Sequence, residues 1–179
     1  AVRLVEKAGK GEVIIVTVGP AQAANTMRSA LAMGANRGLL VKTDDKFLDS
    51  RAAARALKAA IEKDGSFDMI FTGKTSVDTE GSQTPYRIGK QFNLPVANEI
   101  SSLQVNAGTA VAEREIGGGA REVLEMSTPC VIGATKGLNE PRYPKFPDIM
   151  KAKKKEIKEF ELADLGIDAP ASDGGPVKL

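Results

Sequence analysis

Met69-Ile70-Phe71-Thr72-Gly73-Lys74-Thr75-Ser76-Val77-Asp78-Thr79-Glu80-Gly81-Ser82-Gln83-Thr84-Pro85 is the stretch from which the fold can be read. Its apolar start reads as a buried strand. Pro85 suits the first turn of a helix, where its missing N–H would have been unpaired in any case. A polar loop leading from a strand's carboxyl end into a helix is where open α/β sheets take their ligands. The free N–H groups of such a helix suit a phosphate. The loop Gly73–Thr84 lacks the Walker order, which needs Gly-Lys-Ser/Thr at its far end, and it lacks the dinucleotide glycine fingerprint. A solvated connection remains the bland alternative. Twelve residues is long for a strand-to-helix link, which favours a ligand site.

Outward from this loop, strand and helix alternate. Glu12–Val18 reads as a strand covered on both faces, and Ala21–Met33 as a helix closed by Gly34. Gly38–Lys42 is a strand. Asp49 caps a helix to Lys63, with Ala53, Ala56, Leu57, Ala60 and Ile61 as its apolar stripe. Ser82–Phe92 is the helix after the loop, and Pro95-Val96 opens the next strand. This rhythm predicts a doubly wound, mostly parallel α/β sheet. From Ser102 to Met126, short strands joined by Gly turns predict an antiparallel extension, and Pro129–Gly133 returns as an apolar strand. Three prolines then break the run from Gly137 to Pro147. The organisation expected is one nucleotide-binding domain over 1–150 and an arm over 151–179 that lies on a partner subunit.

Composition narrows the chemistry. The 179 residues carry a net charge of +2, 42% hydrophobic residues, one cysteine and no histidine. Ser-His-Asp and Cys-His catalysis and His-based zinc sites are therefore excluded, which argues against a self-contained enzyme and for no metal. No global charge excess calls for nucleic acid, and no stretch is long enough to insert in a membrane. Cys130, within Cys130-Val131-Ile132, reads as a small buried hydrophobe. Tyr143 and Phe146, on a proline-stiffened segment beside the basic run Lys151–Lys155, read either as a docking anchor or as a local cap.

Several motifs together resemble the β subunit of electron transfer flavoproteins. They are Ala30-Leu31-Ala32-Met33-Gly34-Ala35, the Gly73–Thr84 loop, Glu113-Arg114-Glu115-Ile116, and Leu138-Asn139-Glu140-Pro141-Arg142-Tyr143 through Pro147-Asp148-Ile149-Met150-Lys151-Ala152-Lys153-Lys154-Lys155. The resemblance implies an adenine nucleotide alpha hydrolase-like fold. It implies a heterodimer with an α subunit that holds most of the electron-carrying FAD, and AMP bound structurally in this subunit. Electron-bifurcating members hold a second FAD there instead. A stand-alone stress-protein-like ATPase is the competing class. The expected donors are acyl-CoA or related dehydrogenases of fatty acid oxidation. The expected acceptor is a membrane quinone oxidoreductase or its equivalent. The setting is the bacterial cytoplasm or the mitochondrial matrix.

Carried over by position, Val18 and the loop residues Gly73, Lys74, Thr75, Ser76, Val77, Asp78, Thr79, Glu80, Gly81, Ser82, Gln83 and Thr84 would hold the nucleotide. Pro141, Arg142, Tyr143, Phe146, Ile149 and Met150 would dock on the dehydrogenase, with Phe146 as anchor, and Glu115 would contact the mobile flavin domain. Thr75-Ser76 stands where the family has Gln-Ala, and Thr79-Glu80-Gly81-Ser82 replaces its Asp-rich centre. The resemblance also implies further family segments before Ala1 and after Leu179.

Overall fold

The computed structural model describes residues 1–44, 48–77 and 80–167. The loop positions Asp78 and Thr79, and the tail of the expected arm from 168 onward, lie outside the described residues. The protein is α/β, with mostly parallel strands distributed over two sheets. It divides into a first unit, Ala1–Asp64 with Arg142–Leu179, and a second, Gly65–Pro141.

The first unit holds a three-stranded parallel sheet in the order β1 (Ile14–Gly19), β2 (Arg37–Lys42) and β8 (Ile157–Glu161). In β2, Leu39, Leu40 and Val41 are at most 1% exposed, as expected of a central strand whose side chains meet cover on both faces. β1 is only half-buried along its length, and among the described residues it pairs only with β2. The sequence suggested cover on both of its faces. Helices α1 (Val2–Ala8), α2 (Ala23–Ala32) and α3 (Ser50–Asp64) belong to this unit. The Asp49 carboxylate accepts the N–H groups of Arg51 and Ala52, both at 2.7 Å, which is the cap that the sequence indicated. Ala54 joins Ala56 and Ala60 as the fully buried positions of α3, while Ala53 and Leu57 are half-buried, so the stripe is turned from the one expected. Arg37 fastens the start of β2 with two hydrogen bonds to Asp64, at 2.6 and 2.7 Å, and two to Glu12, at 2.9 and 3.2 Å.

The segment after Glu156 offers no core of its own in sequence. It is nonetheless part of this sheet. Ile157–Glu161 pairs in parallel with Gly38–Lys42, and Phe160, 4% exposed, completes the cluster of Leu39, Val41, Ala56 and Ala60.

The second unit is a five-stranded sheet in the order β3 (Met69–Gly73), β7 (Cys130–Ala134), β4 (Val96–Asn106), β5 (Thr109–Gly117) and β6 (Ala120–Ser127), with α4 (Thr84–Phe92). β3, β7 and β4 pair in parallel, while β4, β5 and β6 form the antiparallel extension. β4 belongs to both parts. It begins beside β7 and ends beside β5, and the change-over is a bulge where Glu99 takes a left-handed φ of 64°. Ala97, Ile100, Ala110, Ala112, Cys130 and Ile132 form the core. Ile88 of α4 is buried as expected, and Phe92 packs edge-to-face on Phe67 with ring centroids 5.1 Å apart. Among the described residues no helix is long and apolar enough to cross a membrane.

Candidate functional site

The loop that follows β3 leaves the sheet at the carboxyl ends of parallel strands. Thr72 pairs with Gly133 and Gly73 with Ala134. The Lys74 N–H donates to the Ala134 carbonyl at 3.1 Å, so β7 carries the backbone one residue past β3. The Lys74 carbonyl accepts from Asn98 Nδ2 at 3.3 Å. Beyond this fixed peptide the loop folds on itself. The Glu80 N–H donates to the Ser76 carbonyl at 2.9 Å, and the Ser82 N–H donates to Thr75 Oγ1 at 3.3 Å. Glu80 and Ser82 both take left-handed backbone conformations, with φ of 47° and 49°. Each such conformation costs a non-glycine residue on the order of 1–2 kcal/mol, strain of a kind that gathers at ligand clamps.

Gln83 ends the loop, and its Oε1 accepts from Arg87 Nε at 3.0 Å and Nη2 at 2.6 Å. Among the described residues no side chain caps α4, whose first turn presents N–H groups beside the loop. Among the described residues the Lys74 ammonium makes no ion pair. Gly73, Lys74, Ser76, Val77, Glu80 and Gly81 are exposed. The arrangement offers a cation, backbone donors and a positive helix end, and these are features that bind a phosphate. Among the described residues there is no group of three or more carboxylate, Cys or His ligands able to hold a metal. Val18 lies in the first unit, half-buried beside Gly19 at the carboxyl end of β1.

Two polar atoms beneath the loop escaped the sequence reading. Asn98 is 2% exposed, and among the described residues its Oδ1 has no partner; the Thr72 hydroxyl is likewise buried without one. An orphaned buried acceptor costs on the order of 1–3 kcal/mol. The signal available was Gly133 inside the apolar run Cys130-Val131-Ile132-Gly133-Ala134, since a glycine within a strand marks close approach by another group. A Cβ at Gly133 would lie 1.8 Å from Asn98 Oδ1.

The segment from Pro141 to Met150 makes a second candidate surface. Pro141 closes the second unit, and Arg142 opens the return to the first. The Arg142 guanidinium grips the Glu6 carboxylate with two parallel bonds, at 2.9 and 2.8 Å. This partner holds the Glu6 carboxyl below the usual carboxylate range and raises the guanidinium in turn. Helix α5 (Phe146–Ala152) starts at Phe146, with Pro147 second rather than first. The Asp148 carboxylate caps it by accepting the Lys145 N–H at 3.2 Å. Tyr143 is 95% exposed, Phe146 76%, Met150 46% and Ile149 41%. Phe146 therefore does not cap a local core. The nearby basic run is less uniform than its sequence suggests. Lys151, Lys153 and Lys154 are exposed, but the Lys155 ammonium donates to the Leu31 carbonyl at 2.8 Å and to that of Ala35 at the end of α2. Reciprocally, Arg28 of α2 donates to the carbonyls of Ala152, at 2.8 Å, and Lys155. Each helix thus has its carboxyl end closed by a cation associated with the other.

Glu115 is exposed near the end of β5, in register with Arg121 of β6. On the same hairpin Arg114 bonds Glu122 at 2.5 Å, which raises the guanidinium, and Arg121 pairs with Glu113 at 3.6 Å.

The electron transfer flavoprotein domain family matches residues 1–165. An electron transfer flavoprotein subunit beta of Bradyrhizobium diazoefficiens is 39% identical over 96% of this chain and 68% of its own length. That of Bacillus subtilis is 38% identical over 94% and 65%, and the human protein of the same name is 40% identical over 94% and 66%. The chain spans about two thirds of the length of these curated relatives. With a family match that runs from the first residue through β8 and relatives that all carry the same name, the chain belongs to the electron transfer flavoprotein family.

Proposed function

We propose that this chain is the β subunit of a heterodimeric electron transfer flavoprotein, one that holds AMP in its Gly73–Thr84 loop and docks on acyl-CoA or related dehydrogenases through Pro141–Met150. The observation that carries the reading is the exposed group Tyr143, Phe146, Ile149 and Met150. Four large apolar side chains stand in solvent on a segment stiffened by prolines and gripped by the Arg142–Glu6 pair. A stiff apolar anchor loses little entropy on docking, and Lys151, Lys153 and Lys154 beside it suit an acidic partner surface.

The loop residues fit a nucleotide phosphate: Lys74 supplies charge, and the uncapped start of α4 supplies N–H donors. AMP there is structural, and the redox chemistry is that of an FAD held mainly by the α subunit. This chain's own residues bind, orient and dock. Glu115 contacts the flavin-bearing domain from its exposed place on the hairpin. Electrons pass onward to a quinone oxidoreductase or equivalent acceptor.

Replacing Phe146 by Ala in the heterodimer tests the docking surface. The rate of electron transfer from the dehydrogenase is expected to fall at least tenfold, while nucleotide content and melting temperature stay unchanged; an unaffected rate would remove Phe146 as the anchor. Mass analysis of the nucleotide extracted from the purified chain tests the loop. AMP agrees with the reading, FAD in this subunit would make it the bifurcating kind, and ATP that turns over would overturn it in favour of a stand-alone ATPase.

A further inference from the structure

We infer that Asn98 is a positioning residue for the nucleotide loop, reaching from β4 across β7 to set where the chain leaves β3. It is a buried carboxamide in an otherwise apolar core, and each step that places it there is visible. The bulge at Glu99, with its left-handed backbone, interrupts the pairing of β4 with β7 between Ala97 and Ile100, and Asn98 lies within that interruption. The absence of a side chain at Gly133 leaves the space that the carboxamide crosses, since a Cβ there would lie 1.8 Å from Oδ1 and 2.8 Å from Cγ. At the far side Nδ2 donates to the Lys74 carbonyl. A carbonyl can only accept, so the amide orientation is fixed: nitrogen faces Lys74, and oxygen is the atom left without a partner.

Both backbone groups of Lys74 are therefore held, its N–H by Ala134 and its carbonyl by Asn98. Thr75 follows directly, and its hydroxyl receives the Ser82 N–H that draws the far arm of the loop back. Filling space does not account for asparagine here. A leucine has the same number of side-chain heavy atoms and no orphaned oxygen. What leucine cannot do is donate to Lys74.

The inference rests on the reading of this loop as the nucleotide's cradle, and the test separates the two. In Asn98→Leu, NMR hydrogen exchange at the Glu80 and Ser82 amides is expected to quicken about tenfold, while amides of β7 and the melting temperature hold or improve because the orphaned oxygen is gone. The Kd for added AMP, by calorimetry, is expected to rise about tenfold. A purely structural role would lower melting temperature and loop protection together. Should Asn98→Leu not fold, the double variant Asn98→Ala with Gly133→Ala returns volume to the gap without the donor, and the same changes are expected. Loop exchange and AMP affinity unchanged in a folded variant would overturn the inference. If the unchanged chain takes no AMP, the cradle reading fails, and loop exchange alone still decides the role of Asn98.

Discussion

A methyl group added to Gly89 would sit 2.0 Å from Val96 Cγ2 and 3.2 Å from the Leu94 carbonyl. Helix propensity alone favours Ala over Gly in the middle of α4 by about 1 kcal/mol. Here the close approach of the next strand outweighs it, and Gly89→Ala is expected to destabilise by about 1–3 kcal/mol in urea unfolding. The Glu6–Arg142 pair gives a prediction with a sign. The carboxyl is held below its usual range by the guanidinium, so whatever the pair contributes is complete above the unfolded value of about 4.3 and is lost as pH falls through the lower folded one. The difference in melting temperature between the unchanged protein and Glu6→Gln is thus expected to stay constant above that range and to vanish as pH falls through the lower folded value, where the carboxylate is neutral in both. Individual residues were legible where the signal is local. Asp49 as a cap, Pro85 in the first turn of α4 and Ile88 facing inward all follow from neighbours a few positions away. Asn98 lying against Gly133, or Arg142 against Glu6, joins residues far apart in the chain, and no periodicity reports such a meeting.

Helices and strands were read well where apolar spacing or a breaker marks them, and less well where tertiary partners decide. β4 reads in sequence as fragments from Pro95 and from Ser102, because the bulge at Glu99 interrupts its alternation; in the sheet it is one strand from Val96 to Asn106. Ile157–Glu161 carries too little apolar surface to announce itself. Its hydrogen bonds to β2 and the single ring of Phe160 make it a strand. Phe160→Ala is expected to cost about 3 kcal/mol, as for a large buried aromatic. The lysines after α5 show the same dependence on partners. Lys155→Ala is expected to lower stability by about 1.5–3 kcal/mol, because two carbonyls at the end of α2 lose a charged donor. Lys153→Ala, exposed, should stay within about 0.5 kcal/mol. Thermal melts of the two variants side by side would check this contrast.

The molecule as a whole is a continuous unit, Gly65–Pro141, set within a discontinuous one. The alternation of strands and helices made the α/β class legible. The partition into two sheets was not, because nothing in the chain from β2 to β3 says that they fail to pair. The second unit has its own core and all five of its strands, so residues 65–141 expressed alone are expected to unfold cooperatively. A chain ending at Glu156 should lose the cooperative transition of the first unit, since β2 loses its partner on one side. The same arrangement bears on how the protein is made. β2 emerges from the ribosome early, and the strand that covers it follows roughly a hundred residues later, a wait of about 5–20 s at ordinary synthesis rates. Through that interval the apolar side chains of Leu39, Leu40 and Val41 stand at an open edge while the inserted unit can already fold behind them. The nascent chain is thus most exposed to chaperone capture, or to wrong pairing, while the last strand of its first sheet is still being translated.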